Sequence, residues 1–248
     1  MKYPLLTFVF LFFLLQVKSQ DRIKVRIPSP EEEAEYVWST IQDINFFEAH
    51  NYQLSLPEGK IIVELLQKAR TGSLSNESYP RLERFLRDSI YQKEAYQKGY
   101  DKIHDQLNLL NEMVAQLDSN QYNWEFKSFE TYTVNLTLYG PGGSYSPNEG
   151  LVLLFTTPSG QFKGYKNPTN IIIHEIVHIG IEASIINRYQ VPHTLKERIV
   201  DKFVILNFRQ HLPTYQIQDM GEYRIDPYLK EVEDLITLNK IVATLLNR

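Results

Sequence analysis

Residues 171–181 read Ile-Ile-Ile-His-Glu-Ile-Val-His-Ile-Gly-Ile, with isoleucine or valine at seven of the eleven positions. On a helix this pattern leaves no polar face, and a helix that is apolar all round has to be buried. The run is well short of the roughly 20 apolar residues that span a bilayer, so it predicts a core helix. Two imidazoles and a carboxylate are carried inside with it. Burying such groups unpaired costs on the order of several kcal/mol, so the rest of the chain must bring partners to His174, Glu175 and His178.

The surrounding segments set the fold class. Ser29-Pro30-Glu31 is a helix start: a cap, proline at the first helical position and acids in the first turn. The helix it opens is expected to reach about residue 50, with Glu31, Glu32 and Glu33 as its acidic start. Pro57-Glu58 opens a second helix to Arg70, and Tyr79-Pro80 a third to about Gln97. Residues 100–118 form a fourth, with Ile103, Leu107, Leu110, Met113, Val114 and Leu117 on one stripe. Residues 20–30 read as a short polar lead. Beyond Asn120 the pattern changes. Residues 124–139 are aromatic and β-branched and alternate, placing Tyr132, Val134, Leu136 and Leu138 on one side of a strand. Residues 140–143 and 146–150 are turn chemistry, and residues 151–157 a second strand. Together they predict a small antiparallel sheet. Further helices are expected from Asn167-Pro168 to about Asn187, from Thr194 to about Arg209, and from Asp226-Pro227 to Leu246. Helices, then sheet, then helices define an α+β class, divided into a helical N-terminal region (20–119) and a region carrying the His-Glu motif (120–248), packed as one compact unit.

Composition excludes several functions. The 248 residues include 26 Lys+Arg and 30 Asp+Glu, a net charge of −4 that argues against nucleic-acid binding. There is no cysteine, hence no disulfide framework, thiol nucleophile or cysteine–metal site. A metal would have to be held by His, Asp or Glu. Residues 1–19 have a basic start, an apolar stretch and small residues before a cleavage point near Ser19, the layout of a secretory signal. Losing Lys2 and Lys18 from the 26 basic residues would leave 24 against 30 acidic, a net charge of −6. The expected mature protein is soluble, without a membrane segment, and secreted or periplasmic. Asn76-Glu-Ser and Asn135-Leu-Thr would be glycosylation sites only in a eukaryotic secretory pathway.

His174-Glu175-Ile176-Val177-His178 is an HExxH motif. Residues i and i+4 share a helix face, so His174 and His178 can aim two imidazoles at one ion. Zinc suits neutral imidazole and tolerates an open fourth position. Glu175 lies about 100° round the helix, within reach of a water whose pKa zinc lowers to about 7. A third ligand must come from elsewhere. Glu197 lies 19 residues beyond His178 on the next helix, and Asp201 follows one turn later. Thr194-Leu-Lys-Glu197 can also be read as a capping box, which would fold Glu197 back on its own helix start. Glu182, a turn past His178, sits about 6 Å further along the axis and fits a supporting or groove position. His193 is another candidate ligand or cleft residue. Gly180 could break the helix for a return like that of the metzincins, although the later residues of that pattern are absent. His50 and His104 read as surface or core histidines.

With its HExxH and Glu197-Arg-Ile-Val-Asp201, the chain resembles the gluzincins, the thermolysin-like branch of the zincin metallopeptidases; Lys196 stands where that pattern has Asn. The resemblance covers about residues 151–208. It implies zinc held by His174, His178 and Glu197, Glu175 as general base, and Asp201 holding the outer nitrogen of His174. It also implies that residues 151–157 form a strand pairing with substrate backbone. A hydrolase further needs a donor to the oxyanion, for which the resemblance points to a histidine and a tyrosine; His211, Tyr215 and Tyr223 are the candidates. The expected function is an exported zinc metallopeptidase acting on a peptide or protein substrate. The alternatives are a non-catalytic binding protein on a zincin scaffold and a zinc hydrolase of another substrate. The sequence does not specify an oligomeric state.

Overall fold

The computed structural model describes residues 21–163 and 167–247, so the predicted signal at residues 1–19 lies outside the described residues. Among these, four strands form one sheet in the order β1-β2-β4-β3. Strand β2 (Tyr132–Thr137) runs parallel to β1 (Ile23–Arg26) on one side and to β4 (Leu151–Phe155) on the other. Strand β3 (Gly143–Ser146) is antiparallel to β4 and forms an edge. The α+β class holds, but the sheet is mixed rather than antiparallel. The physical reason is a second reversal. The chain leaves β2, turns back into β3, and turns again at residues 146–150, so β2 and β4 point the same way. Strand β4 is therefore interior, and the edge expected at residues 151–157 is β3 instead.

Strand β2 is buried on both faces, as central parallel strands are. Tyr132, Val134 and Leu136 are fully buried on one face, and Asn135 and Thr137 are also buried on the other. Asn135 donates to the Tyr36 hydroxyl at 2.6 Å, so this sequon is sealed inside the protein. β1 lies within the segment read as a polar lead: Ile23 is buried while Lys24 and Arg26 point outward. Four residues with alternating charges carry too little apolar signal to be recognised alone.

The first helix begins where its cap predicted. α1 (Pro30–Gln42) has a full capping box: Ser29 Oγ accepts from Glu32 N, and the Glu32 carboxylate accepts from Ser29 N. It ends at Gln42 rather than near residue 50, a short α2 (Ile44–Ala49) follows, and α3 (Lys60–Arg70) begins after Gly59 rather than at Pro57. The third expected helix is broken. α4 (Tyr79–Phe85) passes into a π-helical turn at Leu86–Ile90, and the chain then becomes extended at Tyr91, whose hydroxyl is tied to Pro28 O. α5 (Gln97–His104) and α6 (Leu107–Ser119) replace the single helix expected over 100–118. Of the expected strand 124–139, only Tyr132–Thr137 pairs in the sheet. Tyr122, Trp124 and Phe126 pack on Phe203 instead, with the Phe126 ring stacked on it at 5.7 Å. Aromatic richness there reflects packing, not pairing.

Helix α7 (Pro168–Ile181) starts at Asn167, whose side chain accepts from Thr169 N, and continues as a π-helix over Glu182–Asn187. α8 (His193–Phe208) follows. The last expected helix is reduced to a 3-10 segment, Val232–Thr237, and α9 (Leu238–Leu245), because Asp226 is held by Arg198 of α8 rather than capping a helix. By length and composition the stretch Pro168–Asn187 could cross a membrane, but 78% of it is buried inside the protein. Gly180 does not break α7. It accommodates the Phe126 ring, which a methyl group would strike.

Two apolar cores result. The main one joins the sheet to α5 through α9. A second joins α1, α3 and α4 through Val37, Trp38, Ile41, Leu65, Leu82 and Leu86. The first four helices thus pack as an N-terminal lobe around the second core, while α5 and α6 pack in the main one.

Candidate metal centre

Helices α7 and α8 pack side by side and bring three atoms together. His178 Nε2 lies 3.0 Å from His174 Nε2, and each of these nitrogens lies 3.3 Å from Glu197 Oε2. Ligands bonded at 2.0–2.1 Å to a tetrahedral ion stand about 3.3 Å apart, so the triangle fits a metal. All three residues are buried and can hold an ion together. Glu197 does not cap its helix, because α8 begins after Pro192 with no side-chain cap. Thr194 therefore lies within the helix, and Glu197 is free to face α7.

The environment sets the charge of each group. Burial pushes the Glu197 carboxyl up, but His174 and His178 hold it far below the usual carboxylate range. Burial lowers His178 to about 4, so its ring is neutral. Burial would also lower His174, but hydrogen bonds to Asp201 and Glu197 outweigh it and raise the imidazole to about 10.

His174 is held from behind by two residues. Its Nδ1 is 2.6 Å from the Tyr215 hydroxyl and 3.3 Å from Asp201 Oδ1. Tyr215 gives its single proton to Asp201 Oδ1 at 2.6 Å, and Asp201 Oδ2 accepts from Gln218 N. The hydroxyl can then only accept from His174 Nδ1–H. In the neutral ring, the form that can bind a metal, this assigns the tautomer with its Nε2 lone pair directed at the cluster. Asp201 lies behind the His174 ring, with the Tyr215 hydroxyl inserted between the two. Tyr215 thus lies on the outer side of His174, away from the converging Nε2 atoms. Tyr223 is at the surface, bonded to Asp219 under the Arg198 guanidinium, and His211 is exposed just past α8. None of the three candidates for oxyanion donor touches the three-atom cluster.

Glu175 is buried beside β3. A side chain at Gly143 would collide with its Oε1, so this glycine makes the space for the carboxylate. Glu182 reaches the site indirectly. Tyr145 of β3 stacks on His178 at 4.8 Å with a 7° tilt and donates its hydroxyl to Glu182 at 2.6 Å, while Lys196 donates to the same hydroxyl. His193 approaches the second oxygen of Glu197, with Nδ1 3.7 Å from Oε1. Burial lowers its pKa, so the ring is neutral.

The structure adds residues that the motif did not indicate. The Gln218 amide nitrogen lies 3.3 Å from Glu197 Oε2 and 3.5 Å from His174 Nε2. Burial raises the Tyr52 hydroxyl to about 12, with added effect from the charges of Glu197 and Glu175, and this hydroxyl lies 3.2 Å from His193 Nε2. Tyr145 lay between the two segments read as turns, and Tyr52 is one of sixteen tyrosines with no local pattern. No family model, curated protein or solved structure matches this chain, so the chemistry of the centre rests on its own geometry.

Proposed function

We propose that the protein is a zinc-dependent hydrolase of peptide bonds, with His174, His178 and Glu197 as its metal ligands. The observation that carries this reading is the convergence of two imidazole nitrogens and one carboxylate oxygen beside the buried carboxylate of Glu175. Two neutral imidazoles and a carboxylate form a donor set that suits zinc. When bound there, zinc would polarise a carbonyl and lower the pKa of water toward 7. Glu175 would take the proton of the attacking water on a carboxylate oxygen and pass it to the leaving amine. Asp201 and Tyr215 fix the tautomer and orientation of His174, and the Tyr145 ring holds His178 in plane. Strand β3 lies at the sheet edge against α7, where an extended peptide could add as a further strand. This edge favours a peptide over other substrates.

The decisive variant is Glu175→Gln. It is expected to retain one zinc per chain and to lose peptide hydrolysis by several orders of magnitude. Hydrolysis at the wild-type rate would overturn the mechanism. One observation favours the second reading, a non-catalytic metal-dependent binding protein: His211, Tyr215 and Tyr223 are all away from the cluster. That reading expects stoichiometric zinc in the wild type and no turnover across a peptide library.

A further inference from the structure

Glu197 offers two oxygens to its surroundings. Oε2 faces the two motif histidines, and Oε1 faces His193 one helical turn earlier. His193 is in turn met by a residue of the N-terminal lobe. After α2 the chain passes through a left-handed residue, Asn51 (φ 57°), and Tyr52 N closes onto Phe47 O. This turn carries the Tyr52 hydroxyl to 3.2 Å from His193 Nε2, across 141 residues of sequence. The Tyr52 ring is held in place, edge-on to Phe47 at 5.6 Å and beneath the Lys163 ammonium at 5.8 Å. The His193 ring is likewise packed edge-on against Phe46 and His50.

We propose that Tyr52 and His193 form a positioning relay that orients the outer oxygen of Glu197, so that the N-terminal lobe sets the metal affinity of the centre. The inference rests on the reading of His174, His178 and Glu197 as metal ligands. A hydroxyl that donates to His193 Nε2 leaves the ring proton on Nδ1, directed at Glu197 Oε1. At 3.7 Å this second contact is electrostatic rather than a hydrogen bond. It opposes rotation of the carboxylate away from the histidines. Partners that orient a ligand in this way typically change metal affinity by about 10–100-fold when removed. Neither residue touches the ligand histidines, and both act only through Glu197.

The test is zinc affinity, measured by competition with a chromophoric chelator, for the full-length wild type, Tyr52→Phe, His193→Ala and the double variant. Thermal midpoints of the zinc-free proteins and the visible spectrum of the cobalt(II)-loaded forms are recorded alongside. His193→Ala is expected to lose on the order of 10–100-fold in zinc affinity, and Tyr52→Phe a smaller, several-fold amount. The double variant should bind zinc no more weakly than His193→Ala, because Tyr52 acts through His193. The zinc-free midpoints should stay together and the cobalt spectrum should keep its tetrahedral band. Unchanged affinity in His193→Ala, or losses that add in the double variant, would overturn the relay while leaving the metal centre intact. A changed coordination spectrum in His193→Ala would make His193 a ligand and overturn its positioning role. A wild type that binds no zinc would overturn the centre itself, and the relay with it.

Discussion

His174 stands between Glu197 on its inner nitrogen and the Tyr215–Asp201 pair on its outer one. Burial alone would strip its proton, but the carboxylates win and hold it at about 10. A metal ion can bind only the neutral ring, so in zinc-free protein at pH 7 it must displace that proton. The sign follows directly. Acidification favours the protonated ring, and zinc affinity falls as pH falls below 10. The expected slope is at least tenfold per pH unit between about pH 8 and 5, with at least one proton released per zinc at pH 7. Calorimetry in buffers of different ionisation enthalpy measures that release, and its absence would contradict the charge state assigned to His174. The pairing of His174 with His178 was legible from the i, i+4 spacing, whereas Asp201 was suggested only by the resemblance of Glu197-Arg-Ile-Val-Asp201 to the gluzincin pattern. Tyr215 and Gln218 were not legible as partners of His174, because they lie in irregular chain after α8, where no periodicity fixes direction.

At the scale of elements, the centre depends on how closely α7 approaches the edge strand β3. Gly143 sets that approach. Its missing side chain is the space filled by the Glu175 carboxylate. Gly143→Ala should therefore push Glu175 aside while leaving His174, His178 and Glu197 in place. Misplacing a catalytic group by about 1 Å can cost on the order of 100-fold in rate. The variant is expected to keep one zinc per chain and lose at least tenfold in peptide hydrolysis. Wild-type hydrolysis in this variant would show that Glu175 does not need this position. Helix starts were legible from their caps, at Ser29 and Asn167 above all. The helix interruptions at Tyr91 and near Asp105 were not, because they follow from tertiary ties such as Tyr91 to Pro28 and not from local breakers. β3 was missed for a related reason: four residues between two turns have no periodicity of their own.

The whole molecule joins a four-helix lobe to the main core, and Glu33 of α1 lies in the seam. Its Oε1 accepts from the Tyr96 hydroxyl and from Leu138 N, while Oε2 has no partner among the described residues. Burial raises its pKa to about 7, against these hydrogen bonds. The folded carboxyl thus binds its proton more tightly than the unfolded one, near 4.5. Stability from the protonated form is complete below pH 4.5 and is lost as pH rises through 7. The shift corresponds to about 3 kcal/mol, at roughly 1.4 kcal/mol per pKa unit. Glu33→Gln should remove most of this dependence. Urea denaturation at pH 5 and pH 8 should show the variant gaining stability relative to wild type at the higher pH, and equal pH profiles would refute the assignment. Read as a residue of an acidic helix start, Glu33 gave no sign of this role, since its burial comes from packing against a strand some 100 residues later. The sequence by itself determined the α+β class, the buried helix α7 and the facing of His174 and His178, because helical periodicity and the cost of burying polar groups act over a few neighbouring residues. Only the tertiary structure decided the mixed sheet, the edge position of β3 and the Tyr52–His193 approach to Glu197. Those depend on which distant segments share a surface, and local periodicity carries no information about that.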